Sequence, residues 1–193
     1  MICHKKHFLQ IIINNLLFPT LCYNFCMKIE WKEIKNNDEQ IINAWLSEAD
    51  KHNLCMSNKS WQETANDISV CLKDMKNGQF KNVIGYINNQ PAIAMMFGVE
   101  HSGEILNLYN IVVNPIFRHE GVAKQALSSL IYNCEKEFGL KQTYKQIKAS
   151  VVPKNTISKN LFFGSGFTSC QFDGEYLVYT KYFQKNYEND FSK

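Results

Sequence analysis

The residues best placed to do chemistry in this chain lie in one short stretch, Arg118-His119-Glu120-Gly121-Val122-Ala123. An apolar run that Asn114-Pro115 ends comes before it, and an amphipathic helical pattern follows it. The first N–H groups of a helix have no acceptor within the helix, and the helix dipole is positive there. Gly121 can take backbone angles that other residues resist, and the small Ala123 lets a ligand approach the backbone. The order strand, loop and helix therefore predicts a site for phosphate, lined by successive N–H groups.

Three strands must carry this loop. Alternating or apolar runs over 80–87, 91–100 and 104–113 are separated by short turn-rich connections. Short connections between neighbouring strands favour an antiparallel meander. The loop therefore follows the third strand of the meander.

The remaining elements alternate between strand and helix patterns. Before the meander we expect a strand over 27–34, a helix from Asn37 or Asp38 to about 51, and a second helix that begins with a Ser60/Glu63 capping box. After the loop we expect a helix over 121–138, a strand over 145–152, a short helix capped by Asn155, and a hairpin across Asp173-Gly174. Helices between strands require parallel crossovers, so the predicted fold class is α/β with a mixed central sheet.

Composition limits the function classes. The chain has 193 residues, a formal net charge of +3 and 45% hydrophobic residues, which suit one domain with a real core. The basic residues are spread out, which disfavours a nucleic-acid partner. The seven cysteines are odd in number and form no Cys-x-x-Cys, which favours free thiols in a reducing cytosol over disulfides. We expect no metal cofactor.

Residues 1–26 differ from the rest. Lys5, Lys6 and His7 precede a mostly apolar run that two asparagines interrupt, and no small-x-small cleavage site follows. Three interpretations stay open: an extension upstream of a working start at Met27, a cleaved signal, or a peripheral membrane anchor. The cysteines and histidines of this segment match no familiar zinc spacing. We expect one domain over 27–185 and a polar tail over 186–193.

Two motifs in these elements resemble the GNAT family of N-acetyltransferases. One is Ile111-Val112-Val113-Asn114-Pro115 leading into Arg118-x-x-Gly121-x-Ala123. The other is Asn155-x-x-Ser158-x-x-Leu161-Phe162-x-x-x-Gly166-Phe167. The resemblance covers about residues 27–183. It implies a mixed, mostly antiparallel sheet of six to seven strands flanked by about four helices, with one splayed strand pair that forms a cofactor cleft.

The resemblance also implies that acetyl-CoA is the co-substrate. Its pantetheine arm would pair with the backbone at Ile111 and Val113, its pyrophosphate would lie on the N–H groups of the loop, and Asn155 would contact the pantetheine. The residues expected to bind it are Ile111, Val112, Val113, Arg118, His119, Glu120, Gly121, Val122, Ala123, Lys124, Asn155, Ser158 and Phe162.

The implied reaction is direct attack of a primary amine, from a small molecule or a protein, on the thioester in a ternary complex. Two positions depart from the family. Phe162 stands where a tyrosine often protonates the thiolate, and Asn107 stands where a base is common. Glu104 and Tyr109 are the substitute catalytic candidates, with Glu100 also near, although a solvated strand start explains Glu104 better. The alternative function is an acyl-CoA-binding or regulatory module without catalysis. We expect a monomer or a homodimer.

Overall fold

A computed structural model describes residues 27–50, 59–73, 79–100, 103–141 and 144–183. The expectations for residues 1–26 and for the tail fall outside these ranges, and so does Gly78, at which the sequence predicts the end of the second helix. Within them, no helix is both long enough and apolar enough to cross a bilayer.

Seven strands form one sheet in the order β1-β2-β3-β4-β5-β7-β6. Every neighbouring pair is antiparallel except β4 and β5, which run parallel. The predicted mixed, mostly antiparallel sheet is therefore confirmed. The strands are β1 (Glu30–Glu33), β2 (Gln79–Ile87), β3 (Gln90–Val99), β4 (Ile105–Val113), β5 (Gln146–Val151), β6 (Ser169–Phe172) and β7 (Leu177–Tyr182).

Five helices flank the sheet in the described part of the chain. They are α1 (Asn36–Asp50), α2 (Trp61–Lys73), α3 (Val122–Tyr132), α4 (Cys134–Phe138) and α5 (Thr156–Gly164). The prediction of one continuous helix over 121–138 is therefore wrong, because two helices occupy this range. Asn133 leaves the helical region at φ −127° and ψ 21° and separates α3 from α4, in keeping with the tendency of asparagine to favour non-helical conformations. Gly139 ends α4 in the left-handed region, as its sequence position predicts.

Each face of the sheet carries its own hydrophobic core. Helices α1 and α2 cover the face over β2, β3 and β4, where Ile42, Trp45 and Trp61 are buried. Residues of α3, α4 and α5 pack on the other face, where Leu127 and Phe162 are buried. The two faces give β4 two different environments, one under α1 and α2 and one under α3 to α5.

Polar contacts fix α2 against the sheet. Glu63 accepts hydrogen bonds from the Ser60 N–H at 2.8 Å and from the Ser60 hydroxyl at 2.7 Å, which confirms the predicted capping box. Trp61 is 0% exposed, and its indole N–H donates to Asn82 Oδ1 at 2.8 Å. The start of α2 is therefore held to β2.

Candidate active site

Strands β4 and β5 pair over only part of their length. Their ladder joins Ile105–Leu108 to Gln146–Ala149, whereas β4 continues to Val113 and β5 to Val151. Beyond Leu108 and Ala149 the backbone groups that would have bonded across the pair are available to a ligand. This is the splayed strand pair that the family resemblance predicts.

A cavity of about 750 Å³ opens where the two strands part. The end of β4, the end of β5, the loop before α3, and α5 form its walls. The lining residues are Leu46, Tyr109, Asn110, Ile111, Val112, Val113, Phe117, Arg118, His119, Gly121, Val122, Ala123, Lys124, Ser150, Val151, Val152, Asn155, Ile157, Ser158, Leu161 and Phe162. The volume lies within the usual range for small-molecule and cofactor sites.

The loop between β4 and α3 is shaped by its own sequence. The side chain of Asn114 accepts from the Ile116 N–H at 3.1 Å and caps a 3-10 turn over Pro115–Phe117. His119 and Gly121 then take positive φ angles of 67° and 77°. Gly121 occupies the N-cap of α3 without a side chain to satisfy the first helical N–H groups. The loop thus presents backbone donors to the cavity, with the positive end of the α3 dipole behind them.

Charge at this end of the cavity is positive. The cations Arg118 and Lys124 line it together with His119 and Gly121. Glu120 is exposed and is not among the lining residues, so the structure separates its carboxylate from the other predicted loop residues. Cations and backbone N–H groups around one opening suit a diphosphate group.

Helix α5 forms another wall of the cavity. Asn155 caps it, with its Oδ1 accepting from the Ser158 N–H at 2.9 Å, and both residues line the cavity. Phe162 lines the cavity as well, although it is only 3% exposed. Its ring stacks on Tyr179 at 5.7 Å between centroids and meets Phe167 edge-on at 5.0 Å. Phe162 is therefore a core residue with one edge on the cavity.

A β-bulge lies at the middle of β4. Met96 pairs with Asn110 and Phe97 with Leu108, so Tyr109 is the extra residue on β4. Tyr109 lines the cavity and packs against the core under α1 and α2. Its position shows where the cavity reaches the α1 and α2 side of the sheet.

Tyr109 has polar neighbours. The Asn107 side chain donates to Glu100 Oε1. Burial raises the pKa of Tyr109, a hydrogen bond with Asn107 opposes the rise, and the negative charge of Glu100 adds to it. Tyr109 therefore stays protonated at neutral pH and can donate a hydrogen bond.

Glu104 is placed elsewhere. It lies before the first residue of β4, with about half of its side chain exposed, and it forms an ion pair with Lys145. It is not among the residues that line the cavity. Of the two catalytic candidates, the structure brings Tyr109 to the cavity and leaves Glu104 outside.

Several lining residues were missed by sequence reasoning. Ser150 comes from the end of β5 that no longer pairs with β4, and Val152 directly follows that strand; Leu46 comes from α1 and Ile157 from α5. Their sequence signal is weak because each reaches the cavity through tertiary packing. Asn110 had a usable signal, since it lies between Tyr109 and Ile111, both singled out from the sequence. Among the described residues, no group of three or more histidine, cysteine, aspartate or glutamate side chains could hold a metal ion.

Comparison with known proteins gives a fold and no sequence relative. No protein-family profile matches the chain, and no curated protein matches it. The solved structures that resemble it include the PaiA N-acetyltransferase from Thermoplasma acidophilum in complex with coenzyme A, which is 13% identical with a TM-score of 0.59 over 81% of this chain and 100% of that chain.

Two further solved structures resemble this chain over a similar range. An acetyltransferase of the GNAT family from Streptococcus pneumoniae is 13% identical with a TM-score of 0.56, over 81% of this chain and 100% of that chain. The putative acetyltransferase YncA from Salmonella typhimurium with its cofactor acetyl-CoA is 13% identical with a TM-score of 0.57, over 86% of this chain and 99% of that chain. At these identities the likeness concerns architecture. The chain therefore has the fold of the GNAT acetyltransferases.

Proposed function

We propose that this protein transfers the acetyl group of acetyl-CoA to an amine. One observation carries the proposal: the gap between β4 and β5 and the donor-rich loop before α3 open into the same cavity. Backbone groups at Ile111 and Val113 would pair with the pantetheine arm. The loop from Arg118 to Lys124, apart from the exposed Glu120, lines the cavity and would hold the diphosphate.

The chemistry follows from bringing the two reactants together in one cavity. The amine nitrogen attacks the thioester carbonyl carbon, the new N–C bond forms, and the C–S bond breaks. A proton leaves the nitrogen and one reaches the departing thiolate, directly or through water. We assign Tyr109 to the part of the cavity where these proton transfers occur, because it lines the cavity and keeps its proton. Positioning supplies much of the rate in such a reaction.

The test combines binding with turnover. Calorimetry with acetyl-CoA measures affinity, and thiol release with a panel of primary amines measures transfer. We expect saturable binding of acetyl-CoA and amine-dependent thiol release. Absence of acetyl-CoA binding would contradict the proposal.

A second candidate function is acyl-CoA binding without catalysis. The observation that favours it is Phe162, which occupies the position of a proton donor in the family and is locked in the core by Tyr179 and Phe167. Tight acetyl-CoA binding with no thiol release for any amine would select this candidate.

We place the reaction in the cytosol. The support is that Cys71, Cys134 and Cys170 are free thiols, which suits a reducing compartment. Fractionation of cells that express the protein tests this placement.

A further inference from the structure

The cavity between β4 and β5 reaches both faces of the sheet. Two of its lining residues, Ile111 and Val113, pack against the core under α3, α4 and α5. Three others, Leu46, Tyr109 and Val112, belong to or pack against the core under α1 and α2. The cavity therefore extends through the gap in the sheet. We call the part that Leu46, Tyr109 and Val112 form the α1 end of the cavity.

The α1 end differs in chemistry from the end beside α3. Among the described lining residues there is no aspartate or glutamate, and the arginine and the lysine, Arg118 and Lys124, both lie close to the start of α3. Leu46 and Val112 are aliphatic, and Tyr109 adds an aromatic ring. Such a wall favours an apolar group, because burial of apolar surface is favourable, whereas a polar group buried without a partner is not.

Three directions lead away from the point where the strands part. In the plane of the sheet, the last ladder pair, Leu108 and Ala149, closes the gap. On the α5 side, Tyr179 pairs with Ala149 across β5 and β7, and the ring of Phe162 stacks on Tyr179 at 5.7 Å between centroids. Phe162 is 3% exposed, so this side is filled by the core. On the third side Tyr109, the next residue of β4, faces the core under α1 and α2.

The proposed position of the cofactor directs an acyl chain to this point. With the diphosphate at the loop, the pantetheine arm passes Val113 and then Ile111, so its sulfur approaches Tyr109, since β4 runs from the ladder to the loop. An acyl group on that sulfur continues beyond the arm. Two of the three directions are closed, so a chain longer than acetyl would extend along Leu46 and Val112.

We propose that the protein accepts acyl-CoA with a short aliphatic chain longer than acetyl, such as hexanoyl-CoA, and that this chain lies in the α1 end against Leu46. The inference rests on the proposed function, because the pantetheine arm places the chain. The bonds that change are the same: the amine nitrogen bonds to the acyl carbonyl carbon, the C–S bond breaks, the nitrogen loses a proton and the thiolate gains one. Leu46 determines specificity, because it contacts the chain and not the reacting atoms.

The test measures binding in the absence of an amine, so that it does not depend on turnover. Acetyl-CoA and hexanoyl-CoA share the whole of coenzyme A and differ only in the methylene groups of the chain. We expect hexanoyl-CoA to bind the wild type at least about tenfold more tightly by calorimetry, because burial of each methylene group is favourable. Equal affinities, or tighter binding of acetyl-CoA, would overturn the inference.

Two substitutions of Leu46 test its role. Leu46→Trp fills the α1 end and should abolish the preference for hexanoyl-CoA. Leu46→Asn keeps the size of the side chain but makes it polar, and it should reduce the preference without filling the space. Ile41→Trp is the matched control, since Ile41 lies on the same helix, is 40% exposed and is not among the residues that line the cavity. It should keep the tenfold preference. A preference that survives both substitutions of Leu46 would overturn the inference.

The competing occupant of the α1 end is an apolar group of the acceptor. To test it, protein saturated with coenzyme A is titrated with hexylamine. Hexylamine binding that Leu46→Trp weakens, together with equal affinities of the wild type for the two acyl-CoA thioesters, would assign the α1 end to the acceptor and overturn the inference.

Thiol release distinguishes this inference from the proposed function. A wild type that prefers hexanoyl-CoA and releases no thiol from either thioester with any amine keeps the inference and loses the transferase. A wild type that releases thiol from acetyl-CoA with an amine, and binds both thioesters equally, keeps the transferase and loses the inference.

Discussion

Leu108 of β4 lies opposite Ala149 of β5, and the parallel ladder between the two strands ends at this pair. On one side of the pair the sheet is continuous; on the other the two strands line a cavity. The boundary is sharp, because the next residues, Tyr109 and Ser150, both line that cavity. The side chains that follow Leu108 and Ala149 therefore determine whether a ligand can reach the backbone groups that the ladder leaves unpaired.

Filling the gap should exclude the cofactor. Ser150 is the first residue of β5 beyond the ladder, and its small side chain leaves the entrance wide. We expect Ser150→Trp to weaken acetyl-CoA binding at least about tenfold by calorimetry, about 1.4 kcal/mol, while the thermal unfolding transition changes little. Gln171→Trp, an exposed site on β6, is the matched control. Undiminished affinity in Ser150→Trp would place the pantetheine arm elsewhere.

The loop before α3 should be sensitive to charge. Gly121 has φ 77°, and a Cβ built on it meets nothing within 4 Å. A side chain at this position therefore costs backbone strain and can contact a ligand in the cavity, but it does not clash with the protein. Gly121→Asp brings a carboxylate to the diphosphate position and should weaken acetyl-CoA binding at least about tenfold, since like charges in contact are strongly unfavourable. Gly121→Asn has the same shape, tolerates positive φ, and should retain most of the affinity. Equal losses in both variants would show that strain, and not charge, explains the effect.

Phe162 tests whether the missing proton donor limits the reaction. Phe162→Tyr adds a hydroxyl to a ring that has one edge on the cavity. We expect kcat equal to or above that of the wild type, because the added hydroxyl can protonate the thiolate.

Controls for this change address packing. Phe162→Leu removes the ring contacts with Tyr179 and Phe167 and should lower the free energy of unfolding by about 1–2 kcal/mol. A Phe162→Tyr variant that is folded, binds acetyl-CoA and has a lower kcat would indicate that the ring packs against the acceptor.

The capping box of α2 predicts an effect of pH on stability. The hydrogen bonds from Ser60 hold the pKa of Glu63 below its usual 4.5. A depressed folded-state pKa means that Glu63 contributes stability above the unfolded pKa near 4.5, and that this contribution is lost as the pH falls through the lower folded value. We expect Glu63→Ala to lower the melting temperature at pH 7 and the difference to narrow in acid below about pH 4.5. A difference that is the same at pH 7 and at pH 3 would contradict the linkage.

Local signals made the loop before α3 and the start of α5 predictable from the sequence. Gly121 and Asn155 each act within a few residues along the chain, as a residue of unusual backbone angles and as a cap, and the structure shows each in that conformation. The break of the predicted 121–138 helix at Asn133 was not foreseen, because one asparagine in an otherwise helical pattern is a weak signal.

The polar contacts near Tyr109 were harder to predict, because they join different elements. The bond from Asn107 to Glu100 joins two strands across a turn, and no spacing along the chain announces it. Glu104 and Glu100 look alike in the sequence. The backbone directs one to Lys145 and the other to Asn107.

The bulge at Tyr109 makes β4 sensitive to the insertion or deletion of a single residue. Before it, Leu106 and Leu108 face the core under α3, α4 and α5; after it, Ile111 and Val113 face that same core. Even-numbered residues therefore face this core before the bulge, and odd-numbered residues face it after the bulge. Deleting one residue at this point would turn Ile111 and Val113 toward α1 and α2 and exchange the two walls of the cavity. The number of residues in β4 is therefore fixed by the two cores that the strand separates.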